Sequence, residues 1–339
     1  LIQNAILIDG SGSDRIVASV RIEGNTIIEI GDLKVLETDS IINAEGLVLS
    51  PGFIDTHSHH DWDSLRTKES AISQGITTII IGQDGTSQFP IKKFMDLIDN
   101  APWSINVGSY SGHGRLRYEV MGDDFKREAT QVEIGRMKLL LETEMNNGSL
   151  GLSTGLEYDP GIYSSTTEII QLAKITSKHG GRYISHMRSE DINLVKSIDE
   201  IIQIGHDAKI PVQISHFKLA KKGLWGKASE ILKKLDSARA KGIDITADIY
   251  PYQYWQSTMT VLFPNRDFEN RESAEFALTE LTTPEGMIVS SFNAKPEYEN
   301  LTFADFLGLS WLSRPLPEAL SLAAAQSKCY MVRSTLLHF

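Results

Sequence analysis

Leu47-Val48-Leu49-Ser50-Pro51-Gly52-Phe53-Ile54-Asp55-Thr56-His57-Ser58-His59-His60-Asp61 carries more information than any other stretch of the chain. Its apolar part reads as a buried strand over 49–56, interrupted by a Pro-Gly turn. Successive side chains of a strand face opposite ways, so His57 and His59 are expected to point together while Ser58 and His60 point away. Two imidazoles on one face with Asp61 nearby make half of a metal site, because neutral imidazole is a preferred ligand of zinc and its neighbours. A lone His-x-His is more often a hydrogen-bonded pair. Burial at the end of a strand shifts the balance toward metal.

Working outward, the texture of the chain changes on either side of this stretch. Residues 1 to about 50 show short strands with turn punctuation, Ala5–Ile8, Val17–Ile22 and Thr26–Ile30 around Asp9-Gly10-Ser11-Gly12 and Glu23-Gly24-Asn25, which predicts a small antiparallel β-structure. From Gly52 onward strand-like runs alternate with helix-like ones. The strands are predicted over 49–56, 77–81, 104–107, 149–153, 182–185, 212–215 and 243–247. Their polar ends are His57, Asp84, His113, Glu157, His186, His216 and Asp248, at intervals of 27, 29, 44, 29, 30 and 32 residues. A repeat of about 31 residues is what a (β/α)8 barrel of ~250 residues requires. The long interval holds Tyr110–Arg127, glycine-rich and charged, which reads as an inserted loop. Thr130 with Glu133 predicts a capping box ahead of the helix 134–146, and Gly180 and Gly242 stop the helical runs 168–178 and 227–241. After Tyr254 the pattern weakens, and 262–339 offers no eighth strand ending in an acid. The expectation is a barrel truncated before strand eight.

Composition limits the partners. With 41% apolar and 23% charged residues in 339, the chain has the make-up of a globular protein. A net charge of -11 disfavours nucleic acid and anionic membrane surfaces and favours a small-molecule partner. The single cysteine, Cys329, allows no intrachain disulfide and no Cys-rich zinc module, so a metal must be held by His, Asp and Glu. No apolar stretch is long enough to cross a bilayer. A cytoplasmic location is expected, although the sequence opens at Leu1 without an initiator Met and its N-terminus reads as processed or missing.

The segments Ile184-Ser185-His186 and Ile214-Ser215-His216 repeat one tripeptide a unit apart, and barrel enzymes gather their catalytic groups at such strand ends. A second metal would need a bridging anion to offset cation repulsion. Glu157 and Asp84 are the candidates, Asp84 being equally readable as a turn aspartate before Gly85.

Pro51–His59, the β-rich segment before it and the histidines on strands five and six together resemble the amidohydrolase superfamily of metal-dependent hydrolases. Within it, Gly112-His113-Gly114-Arg115-Leu116-Arg117, Gly151–Leu156, Tyr183–Glu190, Ile214–Lys218 and Ala247–Tyr252 resemble the N-acyl-D-amino-acid deacylases, or D-aminoacylases. The likeness runs from Leu1 to about Tyr252. It implies an α/β fold, a TIM-like (β/α)8 barrel preceded by part of a small β-sandwich. The expected domains are 1–50 (sandwich), 51–252 (barrel strands one to seven) and 253–339 (insertion or incomplete C-terminal region).

It also implies hydrolysis of the amide of N-acyl-D-amino acids with one or two zinc ions on His57, His59, Glu157, His186, His216 and Asp84, and a substrate carboxylate met by Lys218 and Tyr250. Asp84 stands where that family carries a ligand cysteine, and Glu157 where it has an apolar or other residue. The two departures look compensatory, which favours Glu157 as the bridge. The aspartate that the family uses for proton transfer at strand eight has no counterpart, so no catalytic residue is assigned. His113 and Arg117 either line the mouth or order the inserted loop, and Arg188 and Glu190 look like supporting partners. The alternatives are a related amidohydrolase acting on dipeptides or cyclic amides, and an inactive metal-binding fragment.

Overall fold

The structure, a computed structural model, describes residues 1–60, 67–252, 254–292, 296–308 and 329–334; Asp61 lies outside them. The chain divides into two units, one of residues 1–55, 67–78 and 104–106, the other of 56–66, 79–103 and 107–339.

In the first unit the turn residues act where the sequence places them. β1 (Ile2–Leu7), β2 (Ile16–Glu23) and β3 (Thr26–Gly31) pair antiparallel, and the two-residue connection Gly24-Asn25 closes the β2–β3 hairpin with Gly24 at φ 58°. β4 (Ile42–Asn43) and β5 (Val48–Leu49) instead join β1 in parallel, so the sheet is mixed where an antiparallel one was expected. Ala5, Ala18 and Val20 are buried in it, whereas Ile27, Ile28 and Ile30 on β3 are exposed.

The strand expected over 49–56 is two. Pro51 has no N–H to donate and its ring fixes φ, so the ladder breaks between β5 and β6 (Phe53–Asp55). β6 sits at the end of the order β6-β7-β8, with β7 at Ile76–Ile81 and β8 at Asn106–Ser109. Being an end strand, it leaves Phe53 and Ile54 at 60% and 63% exposure, where burial was expected. A short helix, α1 (Glu69–Ile72), precedes β7.

The second unit contains a parallel sheet in the order β13-β12-β11-β10-β9, comprising β9 (Ser111–Gly112), β10 (Gly151–Gly155), β11 (Arg182–His186), β12 (Val212–Ile214) and β13 (Ile245–Ala247). All seven expected barrel strands are present, the third being split between β8 and β9. The chain therefore combines the strand–helix alternation of an α/β barrel with a small mixed sheet. The connecting helices are α2 (Ile91–Asn100), α3 (His113–Met121), α4 (Gln131–Asn146), α5 (Thr166–Lys178), α6 (Leu194–Ala208) and α7 (Ala228–Ala240).

The capping box forms as expected: Glu133 N–H donates to Thr130 Oγ1 at 3.3 Å and Thr130 N–H to Glu133 Oε2 at 2.7 Å. Leu152, Tyr183, Ile198, Val212 and Ile214 have no exposed surface and pack with Met137, Leu141 and Leu172 into one core.

Tyr110–Arg127 is not a loop. α3 occupies its middle because Arg117 is wholly buried against Glu168 of α5, while Leu116 and Met121 face the core. Beyond Tyr254 the chain adds β14 (Tyr254–Thr258), α8 (Arg271–Phe276), β15 (Met287–Phe292), α9 (Phe303–Gly308) and β16 (Cys329–Ser334), with strand order β14-β16-β15, all antiparallel. The last described residues, Cys329–Ser334, thus pair in this antiparallel sheet.

Candidate metal centre

Side chains that close or follow five strands gather within the second unit. His57 and His59 lie just past β6, in a bend and not in the strand, yet their Nε2 atoms converge to 3.4 Å with rings edge to face. Ser58 Oγ and His60 Nδ1 meet each other at 2.6 Å instead, on the side away from the pair. The alternation inferred from the sequence survives although the pleat that suggested it ends at Asp55.

Asp84 follows β7 through a tight turn. Gly82, at φ 76°, is needed there because a Cβ would come within 2.4 Å of Tyr110 O. Asp84 itself is left-handed, at φ 53°, and the turn is clamped: Gly85 N–H donates to Ser153 Oγ at 3.2 Å and Ser153 Oγ donates to Gly82 O at 2.5 Å. This brings Asp84 Oδ2 to 3.3 Å from His59 Nε2, 3.6 Å from His216 Nε2 and 3.8 Å from His57 Nε2. His186 closes β11 and His216 follows β12, with His186 Nδ1 2.9 Å from His216 Nε2. Glu157, beyond β10, reaches His186 Nε2 at 2.8 Å.

By this geometry Asp84, and not Glu157, stands between the two histidine pairs. Asp84 belongs to two groups of converging donor atoms, with His57 and His59 and with His186 and His216; Glu157 belongs to a third, with His186 and Glu190. Spacing puts both acids at strand ends, but only the turn at Gly82 carries a carboxylate between the two histidine pairs.

The donor set fits a divalent cation. Two nitrogens on a tetrahedral zinc with bonds of about 2.05 Å stand about 3.3 Å apart, close to the His57–His59 separation. Among the described residues Asp84 Oδ1 is buried without a hydrogen-bond partner, an acceptor placed for a cation. The electrostatics agree. Burial by itself would lower the His57 pKa, but the carboxylates of Asp248 and Asp84 hold it up, to about 10. Burial opposes ionisation of Asp84 too, yet the imidazoles of His216, His57 and His59 keep its pKa well below the usual range. Glu157 goes the other way: burial, then the nearby Glu190 and Asp191, push its carboxyl well up. Burial pushes His186 down to about 3, so it stands neutral. A centre with this many acids around its imidazoles favours added positive charge.

Lys218 is buried, but its ammonium meets Glu190 Oε2 at 2.5 Å, His216 Nδ1 at 2.9 Å and His216 O at 3.1 Å. It neutralises Glu190 where a substrate contact was expected; Tyr250 lies beside it, with its ring centre 6.0 Å from Nζ. His113 and Arg117 belong to a separate buried cluster on Glu168 of α5. Arg188 pairs with Glu200 at 2.9 Å, away from Glu190.

Two neighbours were not singled out from the sequence. Asp248, known only as a strand end, contacts His57 Nδ1 at 3.2 Å. The ring of Tyr158 lies tilted at 49° to that of His186 with centroids 4.4 Å apart, and its hydroxyl faces Ser257 Oγ at 3.3 Å. Adjacency to Glu157 was the one available signal for Tyr158; Ser257 had none, coming from the irregular C-terminal segment.

No protein-family model matches the chain. It is 35% identical over 277 residues to a D-aminoacylase of Alcaligenes xylosoxydans xylosoxydans, covering 74% of this chain and 57% of that protein. An N-acyl-D-glutamate deacylase of the same organism is 32% identical, with 78% and 59% covered. The chain thus spans under two thirds of the curated relatives it matches. Among solved structures, N-acyl-D-glutamate deacylase from Bordetella bronchiseptica, complexed with zinc and a phosphonate inhibitor, superposes with TM-score 0.85 at 25% identity, covering 98% of this chain and 70% of that one. A D-aminoacylase crystal structure superposes with TM-score 0.82 at 26% identity and the same coverage.

Proposed function

The chain belongs to the amidohydrolase superfamily and, within it, resembles the N-acyl-D-amino-acid deacylases, and on that footing we propose that it acts in zinc-dependent hydrolysis of the amide bond of N-acyl-D-amino acids. The observation that carries this reading is the convergence of His57, His59, His186 and His216 on Asp84 at the ends of successive strands. These five residues would hold the metal, with Asp84 as the anion between the two histidine pairs.

When bound, zinc lowers the pKa of a coordinated water toward neutrality and polarises the scissile carbonyl. The chain's own residues prepare the place. Asp84 supplies the negative charge that two close cations, or one cation among neutral imidazoles, require. Tyr158 covers the face of His186 and limits water there. Lys218 cancels the charge of Glu190, so it is carried forward as a partner of that residue and not as a clamp on substrate. Among the described residues none is assigned to carry the proton from water to the leaving amine.

The proposed substrate is a small N-acyl amino acid, as the names of the relatives indicate for those proteins. Among the described residues no helix is long and apolar enough to cross a membrane. We also propose the division 1–50, 51–252 and 253–339, supported by the change of sheet at each boundary.

The test is turnover of N-acetyl-D-amino acids by zinc-loaded protein, against L-isomers, dipeptides and hydantoins, with bound metal measured in parallel. Metal binding with hydrolysis confined to D-substrates is expected. Preference for dipeptides or hydantoins would reassign the activity within the superfamily, and absence of bound zinc would remove the metal reading.

A further inference from the structure

Neutral imidazole has one N–H and one lone pair, so a carboxylate that accepts from one nitrogen leaves the other for a metal. Three of the four converging histidines meet a carboxyl group on the nitrogen that turns away from Asp84 or from the neighbouring imidazole. Asp248 Oδ2 lies 3.2 Å from His57 Nδ1, Glu157 Oε2 2.8 Å from His186 Nε2, and Glu190 Oε1 2.9 Å from His216 Nδ1. The inward nitrogens are the ones that converge: His57 Nε2, His186 Nδ1 and His216 Nε2.

We propose that Glu157, Asp248 and Glu190 are positioning residues, each accepting the proton of one histidine's outer nitrogen and so fixing the tautomer and ring direction that the metal needs. This rests on the metal reading above and changes the part played by Glu157, which becomes the acceptor that orients His186 and ceases to be a ligand.

The carboxylates are themselves held, as an orienting group must be. Asp248 accepts from Gln213 Nε2 at 2.7 Å and from the His216 backbone N–H at 2.5 Å, so one acid serves two of the ligand-bearing strand ends. Lys218 Nζ donates to Glu190 Oε1 at 2.6 Å. The backbone carbonyl of Glu157 accepts from Arg266 Nη2, which anchors the residue from the far side. His59 differs: its side chain is half exposed and, among the described residues, its recorded contacts are made through Nε2 alone. At His216 there is a rival arrangement, because Lys218 Nζ also lies 2.9 Å from Nδ1. A lysine proton directed at Nδ1 would place the imidazole proton on Nε2 and turn His216 away from the metal.

Glu157 gives the decisive comparison, since a glutamine can still accept from His186 Nε2–H but is a poor metal ligand. Zinc affinity by chelator competition is expected to fall about 10–100-fold in Glu157→Ala and to be largely retained in Glu157→Gln. The visible absorption bands of the cobalt(II)-substituted protein should be the same in Glu157→Gln as in the unaltered chain. Long-range 1H–15N spectra of the unaltered zinc protein should show the proton on Nε2 of His186 and on Nδ1 of His57 and His216, a reading that needs no variant to fold. Equal loss in both variants with shifted cobalt bands makes Glu157 a ligand and overturns the proposal. Unchanged affinity in both variants, or the opposite tautomers, overturns it as well. If the unaltered chain binds no zinc, the metal reading itself falls, an outcome visible before any variant is made.

Discussion

Arg117→Met tests the buried cluster that turned a supposed loop into α3. Arg117 has no exposed surface, and its Nη1 donates to both oxygens of Glu168 at 2.8 and 2.6 Å. Its Nη2 donates to Phe125 O at 3.0 Å and Arg127 O at 2.7 Å. Methionine keeps much of the volume but leaves the Glu168 carboxylate with His113 alone and strands two carbonyls, and breaking one side of a buried ion pair costs about 3–5 kcal/mol. For a chain of this length that corresponds to a melting shift of roughly 6–10 °C, at ~2 °C per kcal/mol.

The pH dependence gives the sharper check. Burial holds His113 below its ordinary value of 6.5, against the pull of Glu168 and with the repulsion of Arg117. The unfolded chain therefore binds more protons below that value, so the unaltered protein should lose stability as pH falls through it. Burial raises Glu168, but His113 and Arg117 win and hold its carboxyl below the usual range. Its contribution is thus present at neutral pH and lost in stronger acid. Without Arg117, His113 is free to take up a proton and pair with Glu168. The loss in Arg117→Met, followed by circular dichroism melts, should be largest near pH 8 and shrink toward pH 5.5. A loss below about 1 kcal/mol at pH 8, or one that grows on acidification, would refute this account.

Removing metal with a chelator should lower the melting temperature, since a ligand at 100 times its dissociation constant stabilises by about 2.7 kcal/mol; a melt indifferent to chelator and added zinc would count against the centre. Gly85→Ala forces a side chain onto φ 79° and a Cβ to 2.7 Å from Gly155 N, so it should cost about 1–3 kcal/mol and weaken zinc binding by displacing Asp84, as read by melts and chelator competition. Asp84→Ala should reduce zinc bound per chain by atomic spectroscopy, while retaining the circular dichroism spectrum. Leu152→Ala, at a core position with no exposed surface, should cost about 2–5 kcal/mol in denaturant unfolding and leave metal content unchanged.

The sequence by itself determined the strand repeat and the residues at each strand's end, because hydrophobic period and turn chemistry are local properties. It placed strand-like runs that overlap β6, β7, β8 and β10 to β13, the Thr130–Glu133 cap, and the histidines that meet as His57 with His59 and His186 with His216. Tertiary structure decided which way those ends turn. Asp84 moves to the middle because Gly82 and Ser153 clamp its turn, and Lys218 withdraws to Glu190 because a buried carboxylate beside two histidines needs a cation. Arg117 and Glu168, 51 residues apart, could not be joined from the sequence, since a charge looks solvated until its partner is brought to it. Periodicity reports which residues reach the mouth of the fold; the roles they take there depend on long-range contacts and on the charges that burial leaves to be balanced.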